Sequence, residues 1–95
     1  MFKKSLVIED IMVNRNLKGI KLEKKGNIED AVKLYEQNIT DKFDGTHPYN
    51  RLSIIYRRKG QIKDEIRISK KAMQVFKSYK FKERLRKAKI LRNKK

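Results

Sequence analysis

The chain has 95 residues, of which 27 are Lys or Arg and 11 are Asp or Glu, so its formal net charge is +16. Hydrophobic residues make up 38% and charged residues 40%, which predicts a single domain with a thin core. The lack of cysteine excludes disulfides, a thiolate nucleophile and a cysteine zinc site, and the single histidine, His47, excludes a multi-histidine metal site.

The sequence contains no apolar run long enough to span a membrane. Residues 1–8 briefly resemble a signal peptide, but Glu9 and Asp10 cut the apolar run short. We therefore expect a cytoplasmic protein.

Positive charge is concentrated in the second half of the chain. Residues 1–48 hold nine Lys+Arg and eight Asp+Glu, a net charge of +1, whereas residues 49–95 hold eighteen and three, a net charge of +15. This asymmetry favours an acidic partner. The alternative is a solvated face that only keeps the protein soluble.

Two helices are predicted in the first half. The first begins as early as Ser5, ends at Gly26 and carries an apolar set: Val13, Leu17, Ile20 and Leu22. Asn27 is the predicted N-cap of the second helix. The apolar stripe of that helix consists of Ile28, Ala31, Val32, Tyr35 and Ile39.

Three more helices are predicted after a loop over residues 41–45, so the fold class is all-α with about five helices. Thr46 caps the third helix, which Gly60 ends, and Gln61 opens the fourth. Tyr49, Leu52 and Tyr56 are the apolar residues of the third helix. The fourth carries Ile62, Ile66, Ser69, Met73 and Phe76, and the fifth, from about Lys80, carries Phe81, Leu85, Ala88 and Leu91.

The spacing of the two helix-ending glycines, Gly26 and Gly60, matches the helix–turn–helix period of about 34 residues that is typical of tetratricopeptide repeats. Residues 19–35 resemble the tetratricopeptide consensus at Gly19, Leu22, Gly26, Ala31 and Tyr35. The second unit resembles it at Tyr49, Leu52, Tyr56, Gly60, Ile62 and Ala72. The resemblance implies repeats at about 12–45 and 46–79, followed by a basic capping helix at about 80–95.

Several residues depart from that consensus. Lys18 and Asn38 replace apolar residues in the first unit, and Phe43 replaces the common loop proline. In the second unit Glu65 occupies the helix-crossing position and Ser69 replaces the aromatic residue.

The resemblance also implies a peptide-binding groove along the first helix of each unit. Its positions correspond to Val13, Asn16, Ile20, Glu23 and Lys24, and to His47, Asn50, Ile54, Arg57 and Arg58. We take Asn16, Ile20, Asn50, Ile54, Arg57 and Arg58 as the candidate partner-binding residues. Asparagine amides hold an extended peptide backbone, and arginines pair with acidic side chains. The alternative is that the asparagines are only solvated. The chaperone-type carboxylate clamp of the family is incomplete here.

The last helix is predicted to cap the second unit with its apolar face. Its basic residues are Lys80, Lys82, Arg84, Arg86, Lys87, Lys89 and Arg92. Such a surface fits nucleic-acid phosphates, anionic lipid or an acidic protein.

The sequence contains no recognisable catalytic motif, and helix capping accounts for His47 and Asp44. We therefore expect no enzyme, no cofactor and no metal. The first hypothesis is a protein-interaction module that binds an acidic peptide or protein surface. The second is a nucleic-acid-associated protein that uses the basic half on phosphates. The third is a homo-oligomer, because two repeats are few for a stable array.

Overall fold

A computed structural model describes the backbone of residues 2–94 and the side chains of residues 9–94. It contains five α-helices: α1 Phe2–Lys24, α2 Ile28–Thr40, α3 His47–Arg58, α4 Ile62–Phe76 and α5 Tyr79–Asn93. No strand occurs in the described part of the chain, so the all-α prediction is confirmed. The chain divides into two compact units, Met1–Pro48 and Tyr49–Lys95, with the boundary in the first turn of α3. The single domain and the repeat boundaries stay predictions.

The turn that ends α1 and the turn that ends α3 have the same backbone geometry. Gly26 has φ +83°, and its N–H donates to the Glu23 carbonyl at 3.0 Å while the Asn27 N–H donates to the Leu22 carbonyl at 2.8 Å. At Gly60 φ is +73°, and the corresponding two bonds are 3.1 and 2.8 Å. This double bond pattern is a Schellman motif, which requires a left-handed residue and therefore favours glycine.

The helices that follow these two turns are not capped by a side chain. Asn27 stands at the predicted N-cap position of α2, but its side chain makes no capping hydrogen bond. The reason is its backbone ψ of 65°, since an N-cap side chain reaches the first turn from an extended backbone. Ser78 has such a backbone, with ψ 136°, and its side chain accepts from the Lys80 N–H at 3.2 Å. Helix α5 consequently begins at Tyr79, one residue before its predicted start.

In the first unit, α1 packs against α2 around a buried tyrosine. Tyr35 has 0% of its surface exposed and lies so close to Gly19 that a Cβ there would be 2.6 Å from the Tyr35 ring. The Tyr35 hydroxyl donates to Glu23 Oε2 at 2.7 Å. Asn38 is also fully buried, and its Nδ2 donates to the Met12 carbonyl at 2.8 Å, so the polar residue at this apolar consensus position is satisfied.

In the second unit, α4 packs against α5, and three aromatic rings from three helices meet. The Tyr49 ring lies edge-on to Phe76 at 5.2 Å between ring centroids and to Phe81 at 6.4 Å. Phe81 and Ala88 of the predicted apolar face of α5 are buried. Leu91, which was predicted on the same face, is 37% exposed because it lies in the last turns of α5, beyond the aromatic cluster.

None of the described helices has the length and apolar content that a membrane crossing requires.

Candidate anion-binding pocket

A cavity of about 280 Å³ lies within the second unit, where α3, α4 and α5 face one another. We call it the cationic pocket. Its lining consists of Ser53, Ile54, Arg57, Arg58, Glu65, Arg84 and Lys87. Four of these side chains carry a positive charge and one a negative charge, so the lining has a net charge of +3 at neutral pH.

The negative charge in the lining is buried and paired. Glu65 has 1% of its surface exposed, and its Oε1 accepts a hydrogen bond from Arg57 Nε at 2.6 Å. The carboxylate sits in the first turn of α4, where the helix dipole favours an acid. A buried carboxylate needs such a partner, because removing it from water without one is costly. Glu65 therefore holds Arg57 at the wall of the pocket.

Arg84 is a half-buried cation that lies close to other cations of the second unit. Its guanidinium carbon lies 5.7 Å above the Phe81 ring, and its Nη1 is 3.5 Å from the Asn50 carbonyl oxygen, the outer limit of a hydrogen bond. Burial lowers the pKa of Arg84, and the charges of Arg57 and Arg51 lower it further, while Glu65 acts in the opposite direction. The fold thus brings several like charges together around one acid.

The basic residues of α5 form two rows with the helical spacing i, i+4, i+7. One row contains Lys80, Arg84 and Lys87, and two of its members line the cationic pocket. The other row contains Lys82, Arg86 and Lys89, all exposed. Arg86 in that row donates to Glu83 at 3.0 Å, which lowers the pKa of Glu83 and raises that of Arg86.

Arg92 is the last residue of the predicted basic surface, and it lies in neither row. It lines a separate cavity of about 370 Å³ together with the turn at Gly60 and the start of α4.

The structure places three of the six candidate groove residues at the cationic pocket: Ile54, Arg57 and Arg58. Asn50 is half-buried nearby on α3, and its Oδ1 is buried without a hydrogen-bond partner. The two candidates of the first unit have other surroundings. Asn16 Oδ1 is 2.9 Å from His47 Nδ1, and Ile20 is half-buried on α1.

Sequence reasoning did not select Glu65 or Ser53 as site residues, although both line the pocket. A recognisable pattern exists for Glu65, because it is a carboxylate in an otherwise apolar stripe, at the position that the buried Ala31 occupies in the first unit. Such a position predicts either instability or a buried partner, and Arg57 of the preceding helix supplies that partner. Ser53 had no comparable pattern.

In the part of the chain with described side chains, no group of three or more acidic or histidine residues is placed to hold a metal ion. No protein-family model, no curated protein and no solved structure matches this sequence.

Proposed function

We propose that this chain is a non-enzymatic protein-interaction module that captures an acidic peptide or protein surface, with the cationic pocket as the main contact. The observation that carries the proposal is the meeting of two independently predicted groups of residues. Ile54, Arg57 and Arg58 come from the predicted groove on α3, and Arg84 and Lys87 come from the predicted basic surface on α5.

The pocket has the chemistry that an acidic side chain needs. Arginine presents several donors in a planar fork and pairs with carboxylates through two parallel hydrogen bonds. Ile54 adds an apolar contact for the stem of the same side chain or its neighbour. The net charge of +15 on residues 49–95 steers an acidic partner to this end of the chain and speeds association.

The array is proposed to be tetratricopeptide-like. Support comes from the consensus residues and from the two Schellman turns, which are one repeat period apart and share their hydrogen-bond pattern. The start of α2 and the start of α4 are separated by the same interval, 28 to 62. A helical array of this type presents surface side chains on short, rigid helices, which suits peptide capture.

A peptide-display selection against the whole chain tests the proposal. We expect enrichment of peptides rich in Asp and Glu, with binding that weakens as salt rises because exposed charges are screened. The Arg57→Gln and Arg84→Gln variants should each lose most of the binding, and the Lys89→Gln variant, on the other row of α5, should retain it. Enrichment of peptides without acidic residues, or equal loss in all three variants, contradicts the proposal.

The alternative function is association with nucleic acid through the second row of α5. The exposure of Lys82, Arg86 and Lys89 on one side of the helix favours it. Three phosphate contacts would give affinity that falls roughly 40-fold between 50 and 200 mM salt. Retention on random duplex DNA at low salt, lost in the double variant Lys82→Gln/Lys89→Gln and kept in Lys87→Gln, would support this function. No retention at about 50 mM salt excludes it.

A further inference from the structure

We propose that the cationic pocket recognises a dianionic phosphate monoester, such as a phosphorylated side chain on the partner peptide, in preference to a single carboxylate. This inference rests on the proposed function and specifies the chemical group that the pocket receives.

The charge of the lining is the first argument. Arg57, Arg58, Arg84 and Lys87 face the cavity, and only Glu65 opposes them. One carboxylate on a bound peptide would leave two of the three net positive charges uncompensated. A phosphate monoester carries close to two negative charges at neutral pH and three acceptor oxygens, so it compensates more of the charge and accepts from more donors.

The arrangement of donors is the second argument. The cations approach from two helices, with Arg57 and Arg58 on α3 and Arg84 and Lys87 on α5. A tetrahedral anion presents oxygens in several directions and can accept from both sides, whereas a planar carboxylate pairs best with a single guanidinium. Glu65 accepts from Arg57 Nε, and Arg57 Nη2 lies 3.5 Å from the Arg84 carbonyl oxygen, at the outer limit of a hydrogen bond, so the terminal nitrogens keep donor capacity for an anion.

The burial of Arg84 is the third argument. Its guanidinium is partly removed from water while Arg51 and Arg57 act on it with like charge, and its pKa is lowered in consequence. Glu65 acts on the pKa in the opposite direction. An anion in the cavity of about 280 Å³ would stabilise the whole cluster, so the unliganded pocket is preorganised for negative charge.

Binding of three probes to the whole chain tests the inference: capped phosphoserine, capped glutamate and sulfate. Phosphoserine should bind at least tenfold more tightly than glutamate at pH 7. Its affinity should rise about tenfold from pH 5 to pH 7, because the second pKa of a phosphate monoester is about 6. Sulfate is a dianion throughout this range, so it reports any effect of pH on the pocket itself. Sulfate affinity should stay level.

Variants on the two rows of α5 locate the site. Lys87→Gln should weaken phosphoserine binding about tenfold, while Lys89→Gln, the same charge change on an exposed lysine of the same helix, should change it less than twofold. Arg84→Gln should weaken binding at least as much, with far-UV circular dichroism to verify that the helices persist.

The outcomes separate the inference from the proposed function. Equal affinity for glutamate and phosphoserine, with Lys87→Gln still weakening both, overturns the phosphate preference and leaves acidic-peptide capture standing. Equal effects of Lys87→Gln and Lys89→Gln show attraction by overall charge only and overturn both. A phosphodiester dinucleotide that binds as tightly as phosphoserine overturns the inference in favour of nucleic acid.

Discussion

The two units contain the same type of turn, at Gly26 and at Gly60, but different side chains occupy the helix crossing beside it. At the position of Tyr35 in the first unit, the second unit has Ser69, and at the position of Ala31 it has Glu65. The first unit closes its helix crossing with a buried aromatic ring, whereas the second buries a carboxylate and leaves a cavity next to it. The backbone motif is therefore compatible both with a near-neutral unit whose helix crossing is filled by an aromatic ring and with a charged unit that has a cavity beside its buried carboxylate.

The same difference extends to the helix that precedes each turn. Glu23 in the first unit accepts from the Tyr35 hydroxyl, and Arg57, at the matching position of the second unit, donates to Glu65. The sign of the charge at this position is reversed between the units, and so is the hydrogen-bonding role. The comparison teaches that the same turn supports a buried aromatic ring in the first unit and a buried ion pair beside a cavity in the second.

The largest expected effect is the loss of the first unit's aromatic residue. Tyr35→Ala removes a fully buried ring, so the free energy of unfolding should fall by about 3–5 kcal/mol. Ser69→Ala at the matching position should leave it unchanged or raise it by about 1 kcal/mol, because the buried Ser69 Oγ has no hydrogen-bond partner. Urea titration followed by circular dichroism measures both. A Ser69→Ala loss as large as that of Tyr35→Ala would contradict the comparison.

A smaller loss is expected when the buried acid of the second unit is neutralised. Glu65→Gln keeps the shape but replaces a charge-assisted bond to Arg57 with a neutral one, which should cost about 2 kcal/mol. Because Arg57 is 32% exposed, water takes over part of its lost interaction. The same variant should bind sulfate several-fold more tightly, since a negative charge leaves the pocket. Glu83→Gln, in an exposed pair on α5, serves as the control and should change neither quantity measurably.

A further test concerns the close contact between Gly19 and the Tyr35 ring in the first unit. In Gly19→Ala the added Cβ would stand 2.6 Å from Tyr35 Cε1, and the buried ring has little room to move. We expect a net loss of about 1–2 kcal/mol, because overpacking outweighs the better helix propensity of alanine. Ser53→Ala, at the matching position of the second unit, should cost about 1 kcal/mol or less, since only its bond to the Tyr49 carbonyl is lost. If Gly19→Ala instead raised the free energy of unfolding, the Tyr35 ring would have to move away from the added Cβ at little cost.

The smallest effect concerns pH and a surface pair in the first unit. Hydrogen bonds from Arg15 and then from Gln37 lower the pKa of Asp41. A carboxyl group whose pKa is lowered in the folded state stabilises the fold at pH values above its unfolded-state pKa. This contribution is lost as the pH falls through the folded-state pKa. Arg15→Gln should therefore move the Asp41 pKa upward in an NMR titration, and Lys18→Gln on the same helix should leave it in place. An unmoved pKa in Arg15→Gln would mean that Gln37 alone sets it.

Much of the fold was predictable because helix endings are local. Gly26 and Gly60 specify their turns through backbone preference alone, and the apolar spacing specifies the helices between them. Asn27 is the N-cap of α2 as predicted, but the lack of a capping hydrogen bond from its side chain shows the limit of that reasoning. Asn27 is a preferred N-cap residue, yet its backbone conformation is already set by the Schellman turn before it. Leu91 had the right spacing for the buried face, but it is 37% exposed in the last turns of α5.

The candidate site was less predictable because it depends on contacts distant in sequence. Arg57 and Arg84 were both selected, but as members of two different surfaces, and nothing in their spacing indicates that they line one cavity. The lining also includes Ser53, whose small side chain contributes little volume to the pocket wall. Sequence patterns report which residues are present, and they do not report the space that helices distant in sequence leave between them.

The turns at Gly26 and Gly60 have one more consequence, which concerns handedness. Both glycines adopt backbone angles that are disfavoured for L-residues and natural for D-residues, and no atom beyond the neighbouring residues lies within 4 Å of the place where the Cβ of an L-residue would be built. At such a position the side-chain-free residue is required by chirality alone, since space is available. A 95-residue chain without cysteine is within reach of chemical synthesis, and a D-alanine at either turn would restrict the unfolded chain while favouring the positive φ that both turns adopt. A D-residue therefore matches the backbone conformation of these two turns better than any L-residue does.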